Sequence, residues 1–267
     1  MRRHLFLPCL LLLLMGCEPS ETTPPDNPAP QVEMPTLATK ADTMAMHAYE
    51  AAGGPAAWAA LPYLRFEFAG EREGEARPGI KHLWNRRTGD YRIEMPGGED
   101  STYVMLFNVN TREGQAYLNG TALDSTQNAQ RLEQAYGRFI NDTYWLLMPF
   151  KLFDPGVTRT YMPDSSNAER DVIHLSFADV GLTPGDEYWI FMDKETGQVE
   201  EWAYHLQSDR DGRFTWTGYE THDTPAGPLH FATRKEAAGG NGALLTYQIE
   251  TPTDLPADLF TDPNPRM

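Results

Sequence analysis

Cysteine is almost absent from this chain of 267 residues: only Cys9 and Cys17 are present, both close to the N-terminus. No disulfide and no cysteine metal site can hold the body of the chain together, so a hydrophobic core must. Basic residues are also scarce, with 22 Lys and Arg against 38 Asp and Glu, a formal net charge of −16. A chain this acidic is a poor partner for nucleic acid and is repelled by anionic headgroups. HExxH, GxSxG and a phosphate-binding glycine loop are all missing. Gly239-Gly240-Asn241-Gly242 precedes a strand and suits a hairpin turn. Glu200 and Glu201 point to opposite faces of a strand, which is wrong for a glycosidase pair. His47, His82, His174, His205, His222 and His230 are scattered; His174, His205 and His230 sit on different strands and could meet at a metal only through the fold. The reading is therefore non-enzymatic, with no catalytic residues, no metal and no cofactor.

One long apolar run is present, and it lies at the start. Arg2 and Arg3 precede Leu5 to Met15, eleven residues broken only by Pro8. That length suits a secretion signal and is too short for a permanent membrane helix. It ends in Leu14-Met15-Gly16-Cys17, the pattern that bacterial lipoprotein processing reads. Residues 1–16 are thus expected to be removed and Cys17 to be lipidated, the alternative being an ordinary signal with an incidental cysteine. Loss of Arg2 and Arg3 takes the net charge from −16 to −18, so the acyl chains must do the anchoring. Residues 17–35, rich in Pro and acidic residues, read as a disordered tether. Glu18 after the cysteine fits outer-membrane sorting, with the protein facing the periplasm.

From residue 36 the pattern is globular. Leu37, Ala41, Met44, Ala45, Ala48 and Ala52 predict a helix over 36–52, capped by Thr36 and ended by Gly53-Gly54. Pro55 to Ala60 forms a short turn that places Trp58. From Tyr63 the period changes to two: Leu64, Phe66 and Phe68 alternate with Arg65, Glu67 and Ala69. Four further strands follow, over 81–85, 91–95, 102–108 and 115–118. Residues 121–147 read as one or two helices, interrupted near Asn141-Asp142 and ended before Pro149. Seven more strands follow, over 158–161, 171–178, 187–193, 199–207, 213–220, 229–235 and 243–250. No βαβ alternation occurs, so the twelve strands predict one curved antiparallel sheet whose helices bury apolar faces against it.

Tyr144-Trp145-Leu146-Leu147-Met148-Pro149-Phe150 is the most apolar stretch after the signal. It either lines a cavity for a hydrophobic ligand or is plain core between helix and sheet. Trp84, Phe107, Phe139, Phe177, Trp189, Phe191 and Trp202 are open to the same two readings. Asn141-Asp142 either caps a helix or meets a polar head group, and capping is the simpler role. Asp154-Pro155-Gly156 reads as a tight turn.

Helix, five strands, helical insertion, then more strands: this order resembles the LolA/LolB lipoprotein carriers. A nearer likeness is to an uncharacterised bacterial envelope family of that superfamily. It is carried by Arg138 to Leu152 (RFINDTYWLLMPFKL), Asp154-Pro155-Gly156-Val157, Val180 to Asp186, and Leu255 to Phe260. The resemblance covers residues 36–262. It implies a mainly β, α+β fold: an unclosed antiparallel half β-barrel of about 11–12 strands, with an N-terminal helix and a helical lid inserted after the fifth strand. It further implies binding of a hydrophobic ligand, lipid or lipoprotein acyl chains, by a monomer. LolA is a soluble shuttle, so an anchored chain is more similar to LolB. Alternatives are a scaffold lipoprotein with a filled core, or a hydrolase or sugar-binding protein.

Overall fold

The computed structural model describes residues 34–178, 183, 185–240 and 242–267. The expected signal, Cys17 and the tether as far as residue 33 lie outside the described residues, as does most of the Val180 to Asp186 motif.

Helix α1 (Lys40–Ala51) begins later than its apolar spacing predicted. Thr39, not Thr36, is the cap: its hydroxyl accepts from the Asp42 amide and the Asp42 carboxylate accepts from the Thr39 amide. That reciprocal pair fixes the first turn, and Leu37 is left 46% exposed outside the helix. The Arg159 guanidinium, 2.8 Å away, ties Asp42 to the sheet and holds its carboxyl below the usual range, although its partial burial pulls the other way. A short helix α2 (Gly54–Ala60) follows.

Strands β1 (Tyr63–Arg72), β2 (Glu75–Ala76), β3 (Ile80–Asn85), β4 (Asp90–Gly98), β5 (Ser101–Asn108), β6 (Gly114–Leu118) and β7 (Thr121–Ala122) lead into helix α3 (Ser125–Leu147). Then come β8 (Val157–Tyr161), β9 (Arg170–Phe177), β10 (Glu187–Asp193), β11 (Val199–Leu206), β12 (Arg210–Thr215), β13 (Thr217–Thr224), β14 (Gly227–Glu236) and β15 (Ala243–Glu250). All pairings are antiparallel. One sheet runs β13-β14-β15-β1-β3-β4-β5-β6-β7, with β2 on β1, and the other runs β12-β11-β10-β9-β8. Strands β7 and β8 end the two sheets and do not pair, so the barrel is open.

The strand expected over 213–220 is in fact two. Trp216 breaks it: the residue is buried, its amide donates to the Glu200 carbonyl at 2.7 Å, and the chain crosses there from one sheet to the other. A bridge between Phe214 and Ala237 joins the sheets at this corner. The helical insertion also differs from expectation. It is one continuous helix through Asn141-Asp142, with Asp124 as its N-cap. Asp142 caps nothing. Its carboxylate is buried, 2.8 Å from Arg138 one turn earlier and 3.1 Å from His82 on β3. This contact across one helical turn stabilises the segment where a break was expected.

Two apolar clusters form the core. The larger packs α1, α2 and the end of α3 between the two sheets, around Tyr49, Phe66, Trp145, Phe150, Trp202 and Phe231. The smaller sets the middle of α3 on β4, β5 and β6, around Tyr91, Phe107 and Phe139. On the other face of β4, the buried Arg92 pairs with Glu94 at 2.6 Å. Arg92 donates to the carbonyls of Leu259, Asp262 and Asn264, and Glu94 accepts from the amides of Arg266 and Met267. The C-terminal segment is thereby strapped across the back of the sheet.

Candidate functional site

A groove of about 370 Å³ runs between α3 and the inner face of the β8–β12 sheet. The helix contributes Gly137, Ile140, Asn141, Tyr144 and Trp145, one side of three successive turns. The sheet contributes Phe177, Tyr188, Trp202, Tyr204 and Leu206. Thr183, Asp186 and Arg210 supply the remaining polar wall.

The aromatic rings brace one another. Trp145 and Trp202 have centroids 4.3 Å apart, Tyr188 and Trp202 5.1 Å, and Tyr144 and Trp202 5.4 Å. Tilted and edge-on contacts of this kind make a stiff wall. Burial pushes the phenols of Tyr144 and Tyr188 well above the ordinary tyrosine range, so both stay neutral. Asp186 is buried and turned to the protein: it accepts from Thr183, from the Tyr188 hydroxyl at 3.2 Å and from the Gln207 amide at 2.9 Å. Arg210 is exposed at the rim, and among the described residues it has no ion-pair partner. Trp202 is 2% exposed, and its indole N–H finds no acceptor among the described residues.

Five residues singled out by sequence line the groove: Asn141, Tyr144, Trp145, Phe177 and Trp202. Met148 and Phe150 do not line the groove but lie in the large core, where Phe150 stacks on Trp58 at 4.7 Å. Phe107 and Phe139 belong to the other cluster, and Trp84 packs against both. Trp189 and Phe191 lie on the opposite face of β10 from Ile190 and Met192, which enter the core. There Trp189 sits 5.0 Å from His174, and the Arg213 guanidinium lies 4.7 Å from the Phe191 ring. Ile140, Tyr188, Tyr204, Leu206 and Arg210 were missed. Strand parity was the available signal for three of them: Tyr188 shares a face with Ile190, and Tyr204 and Leu206 with Trp202.

Chemically, the groove offers apolar area, neutral phenols, one satisfied carboxylate and one guanidinium. Among its described lining residues there is no histidine, serine or cysteine to pair as nucleophile and base. The three strand histidines have separate partners: His205 with Asp211 at 2.8 Å, His230 with Thr221 at 3.0 Å, and His174 with Trp189. Among the described residues no group of three or more His, Cys, Asp or Glu is placed to hold a metal, and no helix is long and apolar enough to cross a membrane.

No family model matches the chain, and no curated protein does. Solved structures similar to it include a DUF1329 family protein from Desulfovibrio piger, 9% identical, with a TM-score of 0.45 over 82% of this chain and 94% of that one. A LolA superfamily protein from Nitrosomonas europaea, 14% identical, has a TM-score of 0.39 over 84% of this chain and 98% of that one.

Proposed function

We propose that this chain is a membrane-anchored envelope lipoprotein whose half-barrel binds a hydrophobic ligand without transforming it. The observation that carries this reading is the groove itself. It is concave, walled largely by aromatic and aliphatic side chains, open at one side and edged by few polar groups. Its volume lies at the lower end of the range of small-molecule sites. The lipid on Cys17 would keep the domain at the bilayer, with residues 17–35 as the tether and residues 36–262 as the binding domain.

Native mass spectrometry of the full chain carrying Cys17→Ser, after exposure to a bacterial lipid extract, tests the ligand. Retention of one lipid per chain supports the reading, and a clean apo mass overturns it. Metabolic labelling with palmitate tests the anchor: wild type should take up the label and Cys17→Ser should not. A second reading is a scaffold lipoprotein with a filled core. It draws on Met148 and Phe150, which are buried in the core beyond the end of α3. The clean apo mass would favour it.

A further inference from the structure

Resting on the reading above, we infer that the occupant of the groove is a single-chain amphiphile with an anionic oxygen head, of the fatty-acid class, held by Arg210. Two observations converge. The first is size. A methylene occupies roughly the 30 Å³ of a liquid water, so 370 Å³ takes one chain of about twelve carbons or a little more. Two chains of a phospholipid would not fit side by side.

The second is charge. The chain as a whole carries −16, yet the charge on the groove that no neighbour neutralises is positive. The one lining carboxylate, Asp186, already accepts from Thr183, Tyr188 and the Gln207 amide. Arg210 makes only a 3.3 Å contact from Nε to the Ser208 hydroxyl, so its two terminal nitrogens are unengaged among the described residues. A guanidinium fork is matched to a carboxylate or phosphate.

The test is quenching of intrinsic tryptophan fluorescence in the full chain carrying Cys17→Ser. The probes are laurate and monolauroylglycerol, which share a chain and differ in head charge. Laurate should bind more tightly, and Arg210→Gln should weaken it by about fivefold, as for an exposed ion pair. Arg210→Gln should leave monolauroylglycerol unmoved, and Arg210→Lys should restore much of the laurate affinity. Equal affinity for both probes, or no effect of Arg210→Gln on laurate, would overturn the assignment of the head group while the hydrophobic-ligand reading stood. Failure of both probes to bind would overturn both.

Discussion

Two buried charges of this protein should respond in opposite ways to removal. Lys235, on β14, is fully buried beside the corner between the sheets. Its ammonium donates to the Ala232 carbonyl and lies 4.7 Å from the Trp216 ring, and no carboxylate pairs with it among the described residues. Burial alone pulls its pKa from 10.5 to about 7. Between those values the unfolded chain holds a proton that the folded chain does not. Stability should therefore rise as pH goes from about 7 to 10.5, with the full penalty, of order 4 kcal/mol, below 7. Lys235→Met should raise stability at pH 7 by about 1–4 kcal/mol and flatten this slope, as measured by urea unfolding across the pH range. Asp142 is the contrary case. His82 beside it is held neutral by burial, which pulls its pKa down against the pull of Asp142, so Arg138 supplies the counter-charge. Asp142→Ala strands both partners and should cost about 3 kcal/mol. A variant as stable as wild type in the same unfolding assay would contradict this.

At the scale of elements, the join between α1 and α2 is the tightest constraint. Gly53 has φ +121°, and a Cβ there would stand 2.4 Å from the Pro228 carbonyl oxygen. The Ala52 carbonyl accepts from the His230 amide at 2.9 Å, so the turn is pinned to β14 and cannot withdraw. Gly53→Ala should cost about 2 kcal/mol or more, seen as a lowered melting temperature with an unchanged far-ultraviolet spectrum. Nothing in the local sequence announced this contact, because it is made with a strand some 175 residues later. The same limit explains what else was and was not legible. Most strands could be read from alternation, and the two-residue pieces β2 and β7 were too short to carry a period. The corner at Trp216 escaped because 213–220 reads as one run of strand-forming residues; Tyr219 is out of phase with Phe214 and Trp216, and the long-range amide bond to Glu200 shows where the chain changes sheet. Asn141-Asp142 looked like a helix break by residue type. It is not one, because the groups set against the Asp142 carboxylate include His82, distant in sequence. For the groove, bulk was a poorer guide than parity: Trp189 is as large as Trp202 and Phe191 as large as Phe177, but both lie on the other face of the sheet.

At the scale of the whole molecule, the half-barrel is mostly a filled core with an aromatic groove left beside it. Helix α3 packs Phe139, Leu146 and Leu147 into that core and turns Gly137, Ile140, Asn141, Tyr144 and Trp145 to the groove on the β8–β12 sheet. Gly137 lines this groove without a side chain. It lies inside a continuous helix, where glycine costs about 1 kcal/mol relative to alanine. No atom lies within 4 Å of the point where its Cβ would stand, so packing does not require a glycine there. A fold selected only as a scaffold gains nothing from an unfilled, helix-weakening position. A binding groove does. Gly137→Leu separates the two cases. It should raise stability by about 1 kcal/mol through helix propensity, a rise of roughly 2–4 °C in melting temperature for a domain of this size. At the same time its side chain should enter the groove and abolish ligand retention in native mass spectrometry. A variant that is more stable and still retains ligand would place the binding site elsewhere on the molecule. One that is both less stable and unable to bind would show that the glycine is needed for folding, contrary to the open space observed around it.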